Sequence, residues 1–330
     1  MSMALHGAPI DEIDSDPPTD TCPPRLTDSA PLTNTWSILR LWSIFWQGLN
    51  HFGTHREVLS LLLSFPPYAE IVLAKPSFSV KYLTPHYLAR GLTATERASC
   101  FLHHYRRLRA ILPVDLLKRI LKEDVVIHEI RVGDNRLTLT MGLSMPYDEE
   151  GELSLLLNVN DDGVFVLAFT IVPGCVVQSQ AAEVLLITRL QGRKGASSQI
   201  GYATKAMQDV APRALLLAAL QGIAEAFGIS EIAAIPAIRQ TSYVKHCAAS
   251  FKEAYDDFFV DLGIPKSDTG FYHASLPIQA KPLAFIKPGH KIRTKKKRAF
   301  KQQIQSTFAS FFEQDAHGLP PESPPQDVST

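Results

Sequence analysis

Cysteine is scarce in this chain, with four in 330 residues: Cys22, Cys100, Cys175 and Cys247. None forms a CxxC pair. So thin and dispersed a set excludes a disulfide framework, and its simple reading is four reduced thiols in a reducing compartment. Net charge is missing too: 33 Lys and Arg balance 33 Asp and Glu, so no global field argues for nucleic acid or an acidic substrate. No apolar run reaches the roughly 18 residues that a membrane span needs; Trp36–Trp46 and Val58–Phe65 are the longest and both are short. The acidic, proline-rich N-terminus carries no basic region followed by an apolar one, so no secretory signal is expected. No period of 20–50 residues repeats, which argues against a solenoid. The GxSxG elbow, the Rossmann fingerprint, the Walker A ending, the EF-hand loop and HExxH are all absent, so the chain lacks the usual signatures of those chemistries and no metal site is read from it.

What is present is ordinary globular material: 45% hydrophobic and 20% charged residues, enough for a sizeable core. The length suits two domains or one large one. Residues 1–34 are rich in Pro, Asp, Ser and Thr and read as disordered. Residues 35–125 read as helical. HREVLSLLLSF stops at Pro66-Pro67, TATERASCFLHHYRRLRAIL has helical spacing with Thr93 or Thr95 as N-cap, and VDLLKRILKED follows Pro113. From about residue 126 the period changes to two. Strands are expected at Val125–Val132, Leu137–Met145, Leu153–Val159, Val164–Ile171 and Glu183–Leu190, with a hairpin through Asn160–Gly163. Helices follow at Gly201–Asp209 and Pro212–Phe227, the latter closed by Gly228. A short strand, Glu231–Ile235, and an aromatic-rich helix over Ser242–Leu262 come next. The expected fold is α+β: a helical N-terminal region, then an α/β core over 126–305 built on an antiparallel or mixed sheet packed by helices. A tail spans 306–330 and is disordered from about 315.

Several stretches can carry chemistry. After the strand ending at Leu190 come Gln191, Gly192, Arg193, Lys194 and Gly195. Two glycines expose backbone amides and two bases sit between them, a combination that suits a phosphate where a helix begins. The plainer reading is a surface turn shaped by glycine. Lys205, on the helix that follows, would face the same anion or be a solvated lysine. His103 and Arg107 share a helix face at i, i+4, whereas adjacent His103 and His104 diverge and make a poor metal pair. In Tyr255-Asp256-Asp257-Phe258-Phe259 the aromatics read as buried and the acids as solvated, because neighbouring helical residues point about 100° apart. Residues 281–301 hold nine bases and no acid. Lys287, Lys291, Arg293, Lys295, Lys296, Lys297 and Arg298 suit peripheral contact with an anionic membrane. Nucleic acid is disfavoured because few aromatics interleave.

Two resemblances attach to these residues. GELSLLLNV, LQGRKG, ATKAMQDVAPRALLLAALQGIAEAFGI, AYDDFF and KKKRA, with HHYRRL upstream, resemble in order and spacing the VirK/YbjX family of Gram-negative bacteria over roughly residues 40–305. That resemblance implies an accessory protein linked to virulence or envelope stress, with no established activity; a cytoplasmic location is expected beside it, with peripheral contact at the inner membrane through the Lys287–Lys301 patch. The family pattern has Ser-Asn and a nearby His after the Glu231–Ile235 strand; here Pro236-Ala237-Ile238-Arg239 stand there, and His246 comes later. The strand, glycine-basic loop, helix, strand order is also similar to the pyrophosphate-binding loop of GNAT acyltransferases. Their Gln/Arg-x-x-Gly-x-Gly/Ala spacing is one residue off in Gln191–Ala196. This second resemblance implies an acyl-coenzyme A at Gln191–Gly195, assisted by Lys205, with no catalytic base assigned. Enzyme or accessory protein therefore stays open at the level of sequence.

Overall fold

The computed structural model describes residues 52–144, 148–268, 270–280 and 282–316. The acidic head, Trp36–Trp46 and the final residues lie outside them. The fold is α+β. The helical layer comprises α1 (Phe52–Leu63), α2 (Pro66–Ala74), a 3-10 stretch Pro76–Leu83, α3 (Ala94–Ile111) and α4 (Val114–Lys122). Seven strands follow: β1 (Val125–Val132), β2 (Asn135–Leu143), β3 (Leu153–Val159), β4 (Asp162–Pro173), β5 (Glu183–Gly192), β6 (Glu231–Ala234) and β7 (Tyr272–Ser275). Between β5 and β6 run α5 (Ser197–Ala206) and α6 (Pro212–Ala226). Between β6 and β7 lie α7 (Ala248–Phe251), a π-helical segment Lys252–Asp257, and α8 (Phe258–Asp261); α9 (Lys291–Ala316) closes the chain.

Local chemistry sets these boundaries. Thr93 caps α3: its hydroxyl accepts from the Glu96 amide at 3.2 Å while Glu96 Oε2 accepts from the Thr93 amide at 2.7 Å, a reciprocal box that satisfies two amides left over at a helix start. The β3–β4 hairpin turns on Asn160 and Asp161, both with positive φ (51° and 68°), as a two-residue turn matched to strand twist requires. Gly228 ends α6 with φ +68°, and Ile229 N donates back to Ala224 O at 2.8 Å.

The seven strands lie side by side in chain order. All neighbours are antiparallel except β5 and β6, which are parallel and joined by the α5–α6 crossover. β4 and β5 are buried at nearly every position, so both faces of the sheet's middle are covered. α3 packs against β4, α6 against β3, β4 and β5, and α9 against α6. A continuous apolar cluster joins the helical layer to the sheet, from Val58 and Tyr68 through Phe101 and Phe169 to Leu216 and Phe308.

Two expectations need correction. The single helix over Ser242–Leu262 is a broken run with a widened π turn in its middle. Its Asp256, expected in solvent, accepts from the Ala237 amide and the Tyr272 hydroxyl, each at 3.1 Å, so the turn fastens the end of β6 to β7. The tail expected from 306 begins inside α9, which buries Phe308 and Phe312 beside α6 and runs to Ala316. Of the cysteines, Cys100 (buried) and Cys175 (exposed) are free thiols as expected, and Cys22 lies outside the described residues.

Among the described residues no single helix is long and apolar enough to cross a membrane; α1 and α2 pass that test only together and are bent by 110°. Both donate core residues, Val58 and Leu62 from α1 and Tyr68 from α2.

The α6–α9 crossing depends on a glycine. A Cβ at Gly222 would lie 2.2 Å from Gln305 O and 3.0 Å from Ala309 N, both backbone atoms. Gly222→Ala should therefore cost about 1–3 kcal/mol of stability through overpacking, read as a lowered urea midpoint, although alanine is the better helix former.

Candidate functional site

The site begins with a disturbance in β5. Phe169 of β4 pairs with Ile187 and Ala168 pairs with Arg189, which leaves Thr188 as an extra residue on β5. This is a β-bulge, and its hydroxyl donates to Ala168 O at 3.2 Å. Bulges bend a strand and re-aim its side chains. The parallel pairing with β6 spans only Leu185–Ile187 against Ile232–Ala234, and its last bond runs from Ile235 N to Ile187 O at 3.1 Å. Past that bond β5 continues to Gly192 alongside β4, whereas β6 has ended. The carboxyl ends of the parallel pair thus part beside the bulge.

Four chain segments meet here, where the strands part. From β5 come Arg189 and Gln191, side by side on one face, with Arg189 3% exposed. From the approach to β3 comes Glu150, whose Oε2 pairs with Arg189 Nη1 at 3.2 Å and whose Oε1 accepts from Thr241 Oγ1 at 2.7 Å. The Gln191 carboxamide faces the same guanidinium, and hydrogen-bonding chemistry assigns its oxygen to the end 2.5 Å from Nη2 and 2.6 Å from Nε. From beyond β6 comes Pro236–Tyr243. The fourth, Tyr87–Arg90, stitches the others together: Leu88 N donates to Glu149 O, Arg90 N to Arg239 O, and Arg90 Nη2 to the Thr241 and Tyr243 carbonyls. Arg189 also lines a small hollow of about 60 Å³ with Ser144 and Ser154. Gln240, 1% exposed, leaves both amide atoms without a hydrogen-bond partner among the described residues. An unmatched buried polar atom costs about 1–3 kcal/mol, so this side chain is held in the interior at a cost.

The turn after β5 divides the labour between its glycines. A Cβ on Gly192 would sit 2.8 Å from Ile200 Cδ1 of α5, so this glycine lets the helix approach the strand; Gly195, at φ +78°, supplies the left-handed turn. The amides of Lys194, Gly195, Ser197 and Ser198 find no acceptor among the described residues, and α5 starts here. The sequence candidates fall unequally around this turn. Gln191 is buried against Arg189. Arg193 folds back on the hairpin, bonding Gln199 Oε1 at 3.1 Å and lying 3.6 Å from Asp162. Lys194 and Gly195 are exposed beside the free amides. Lys205 is exposed near the far end of α5, roughly 12 Å along the helix axis at 1.5 Å per residue, and is not brought together with the others.

A second buried cluster adjoins the first through Glu152, which is fully buried just before β3. Its Oε2 accepts from Lys81 Nζ at 2.5 Å and from the Tyr105 hydroxyl, its Oε1 accepts from the Tyr87 hydroxyl, and its own amide donates to Thr170 Oγ1. Burial raises the Glu152 carboxyl above its usual range, opposed by Lys81 and the tyrosine hydroxyls; burial, then Glu152, raise Tyr87 well above 10. Beside them His104 is fully buried. Its Nδ1 accepts from the Ile171 amide at 3.1 Å, so Nε2 carries the proton, without a partner among the described residues. Burial first, then the nearby Lys81 charge, holds His104 well below 6.5 and therefore neutral. His103 and Arg107 share a face as expected, and both engage Glu183 (2.9 and 2.8 Å).

Sequence reasoning missed Lys81, Tyr87, Tyr105, Glu150, Glu152, Arg189 and Gln240. One signal was available. Arg189 interrupts EVLLITRLQG, a run apolar enough to be buried on both faces, and a charge there needs a buried partner.

The chain matches the model of the family described as a protein of unknown function (DUF535) over residues 38–310. That is most of its length, and the chain belongs to this family. No curated protein and no solved structure matches it.

Two measurements test these assignments. Glu152→Ala strands the Lys81 cation and should cost about 3–5 kcal/mol, whereas the joint change Lys81→Met with Glu152→Leu should recover most of that loss. Urea denaturation of the three proteins decides it, and a double variant no more stable than the single one would refute the pairing. For His104 the folded value is depressed, so its contribution is intact above pH 6.5 and is lost as pH falls below it. Wild type should lose stability relative to His104→Gln by up to about 1.4 kcal/mol per pH unit between pH 6.5 and 5, measured as the difference between their urea midpoints.

Proposed function

We propose that this chain is an acyl-coenzyme A-dependent acyltransferase that holds its coenzyme in the crevice between the carboxyl ends of β5 and β6. The observation that carries the reading is the parting of the chain's parallel strand pair immediately beyond the Thr188 bulge. Ligands of open sheets sit outside the carboxyl ends of parallel strands, where the connections diverge. The edge of β5 left behind by β6 can take an extended ligand by main-chain hydrogen bonds. The pantetheine arm is such a ligand, and its amides match the unpartnered carboxamide of Gln240 in chemistry. The pyrophosphate would lie on the free amides of Lys194, Gly195, Ser197 and Ser198 at the start of α5, with Lys194 the nearest uncommitted cation by sequence and Arg193 close by.

In the transfer, an acceptor nitrogen or oxygen attacks the thioester carbonyl, the new N–C or O–C bond forms, the C–S bond breaks, and coenzyme A leaves as the thiol with the acceptor's proton. Glu150 has both oxygens engaged, so it fits a positioning role, holding Arg189 and Thr241 across the crevice. The VirK/YbjX resemblance, which concerns this same family, supplies the process: the acceptor would be an envelope component, and the peripheral contact with an anionic membrane read from the basic run belongs to this reading.

Thermal denaturation with coenzyme A and with acetyl- and palmitoyl-coenzyme A tests it. Ligand at 100 times its Kd adds about 2.7 kcal/mol, which for a chain of this size raises Tm by roughly 5 °C. Gln240→Leu should weaken that response for coenzyme A and leave it unchanged for adenosine 3′,5′-bisphosphate. A flat response to all three coenzymes at millimolar concentration sinks the proposal.

A further inference from the structure

The segment that leads into α9 joins two properties that a soluble surface usually keeps apart. Phe285 is 81% exposed and Ile292 is 72% exposed, with Leu283 and Ile286 half-buried between β7 and the helix. Around them lie Lys287, Lys291, Lys295 and Lys296, and no acid occurs between residues 269 and 312. The geometry of α9 sorts the charges. Phe300, Ile304, Phe308 and Phe312 form its buried side, whereas Ile292, Lys295 and Lys296, in the turns that precede Phe300, are exposed. Arg293 is committed elsewhere, since its guanidinium holds Asp209 at 2.9 and 3.0 Å, which fixes the first turn of α9 beside the end of α5. Lys297 and Arg298 are half-buried. They, after burial, push the Lys301 ammonium below its ordinary value, a mark of how crowded positive charge is here.

We infer that Phe285 and Ile292 are the apolar anchors of a docking face for an anionic lipid bilayer, with Lys287, Lys291, Lys295 and Lys296 around them contacting the headgroups. This deepens the membrane part of the proposed function and does not depend on coenzyme A binding. An amphipathic surface with bulky apolar tips ringed by lysine lies in the headgroup boundary, apolar part inward. A nucleic acid would draw on the lysines but offers nothing to an exposed isoleucine and phenylalanine projecting beyond them, so the lipid surface fits better. Each basic residue near such a surface contributes about fivefold in affinity, so four of them give reversible attachment that salt weakens.

Flotation of the full chain with vesicles tests this, using phosphatidylcholine alone and phosphatidylcholine with 30% phosphatidylserine, at 0.1 and 0.5 M salt. Binding is expected with the anionic vesicles at low salt and not with the neutral ones. Lys295→Glu with Lys296→Glu should abolish it. Phe285→Ser with Ile292→Ser should reduce it at least tenfold with Tm unchanged, because both positions are exposed. Inorganic phosphate at 10 mM should compete no better than chloride at matched ionic strength. Failure to float with anionic vesicles, or flotation untouched by the serine changes, overturns the assignment. So does displacement from vesicles by a duplex oligonucleotide whose own binding ignores those changes, which would hand the surface to nucleic acid. A chain that floats but shows no coenzyme response keeps this face and loses the acyltransferase reading; the converse loses only this face.

Discussion

Two carboxylates, two residues apart, enter the interior where the chain approaches β3, and much of the architecture follows from the need to match them. A buried carboxylate is tolerable only with cations and donors close around it. Glu152 obtains these from the helical layer: Lys81 on the 3-10 stretch, Tyr87 beyond it and Tyr105 on α3. Glu150 obtains them from the sheet and from the chain after β6: Arg189 on β5 and Thr241. The helical layer, the middle of the sheet and the β6 exit are therefore bound to one short segment. The Tyr87–Arg90 stretch follows that segment at one end and the 239–243 chain at the other. Apolar burial provides most of the stabilisation, but it is not directional; the charges specify which helix lies over which strand.

The same constraint bears on β5. Arg189 can reach Glu150 because the extra residue at Thr188 shifts the alternation of β5 by one, so that Arg189 and Gln191 share the face that Leu186 and Val184 occupy before the bulge. An unbulged strand would turn Arg189 to the other face, among the leucines. The pairing with β6 stops at Ile187, the residue before the bulge, so the position that sets the arginine's face is also where the parallel pair ends.

How much of this could be read from the sequence varies with the length scale of the interaction involved. The first five strands, the Asn160-Asp161 turn, the Thr93 cap and the Gly228 stop rest on contacts among near neighbours, and alternation or turn chemistry exposes each of them. The π turn was hidden because it depends on Asp256 reaching Ala237 and Tyr272, nineteen and sixteen residues away. The candidate site was legible at its turn and opaque in its walls. Gly192 and Gly195 stood out by composition. Lys81, Glu150, Glu152 and Arg189 looked like ordinary surface charges because their partners lie between 39 and 91 residues distant. Lys205 shows the opposite failure: closeness in sequence suggested a shared anion, but one helix length separates it from the turn.

Family membership alone brings no chemistry to this chain. Pro236-Ala237-Ile238-Arg239 stand at the exit of β6, where the resemblance to VirK/YbjX proteins leads one to expect a Ser-Asn pair, and they are not inert. Ala237 offers its amide to Asp256, Arg239 stacks its guanidinium over Phe271 at 4.5 Å, and the turn they form delivers the Gln240 carboxamide to the interior with no hydrogen-bond partner among the described residues. An apolar side chain at that position would remove the cost of two orphaned polar atoms. Under the proposed function that cost is offset when the amide of a ligand reaches the carboxamide beside the end of β6.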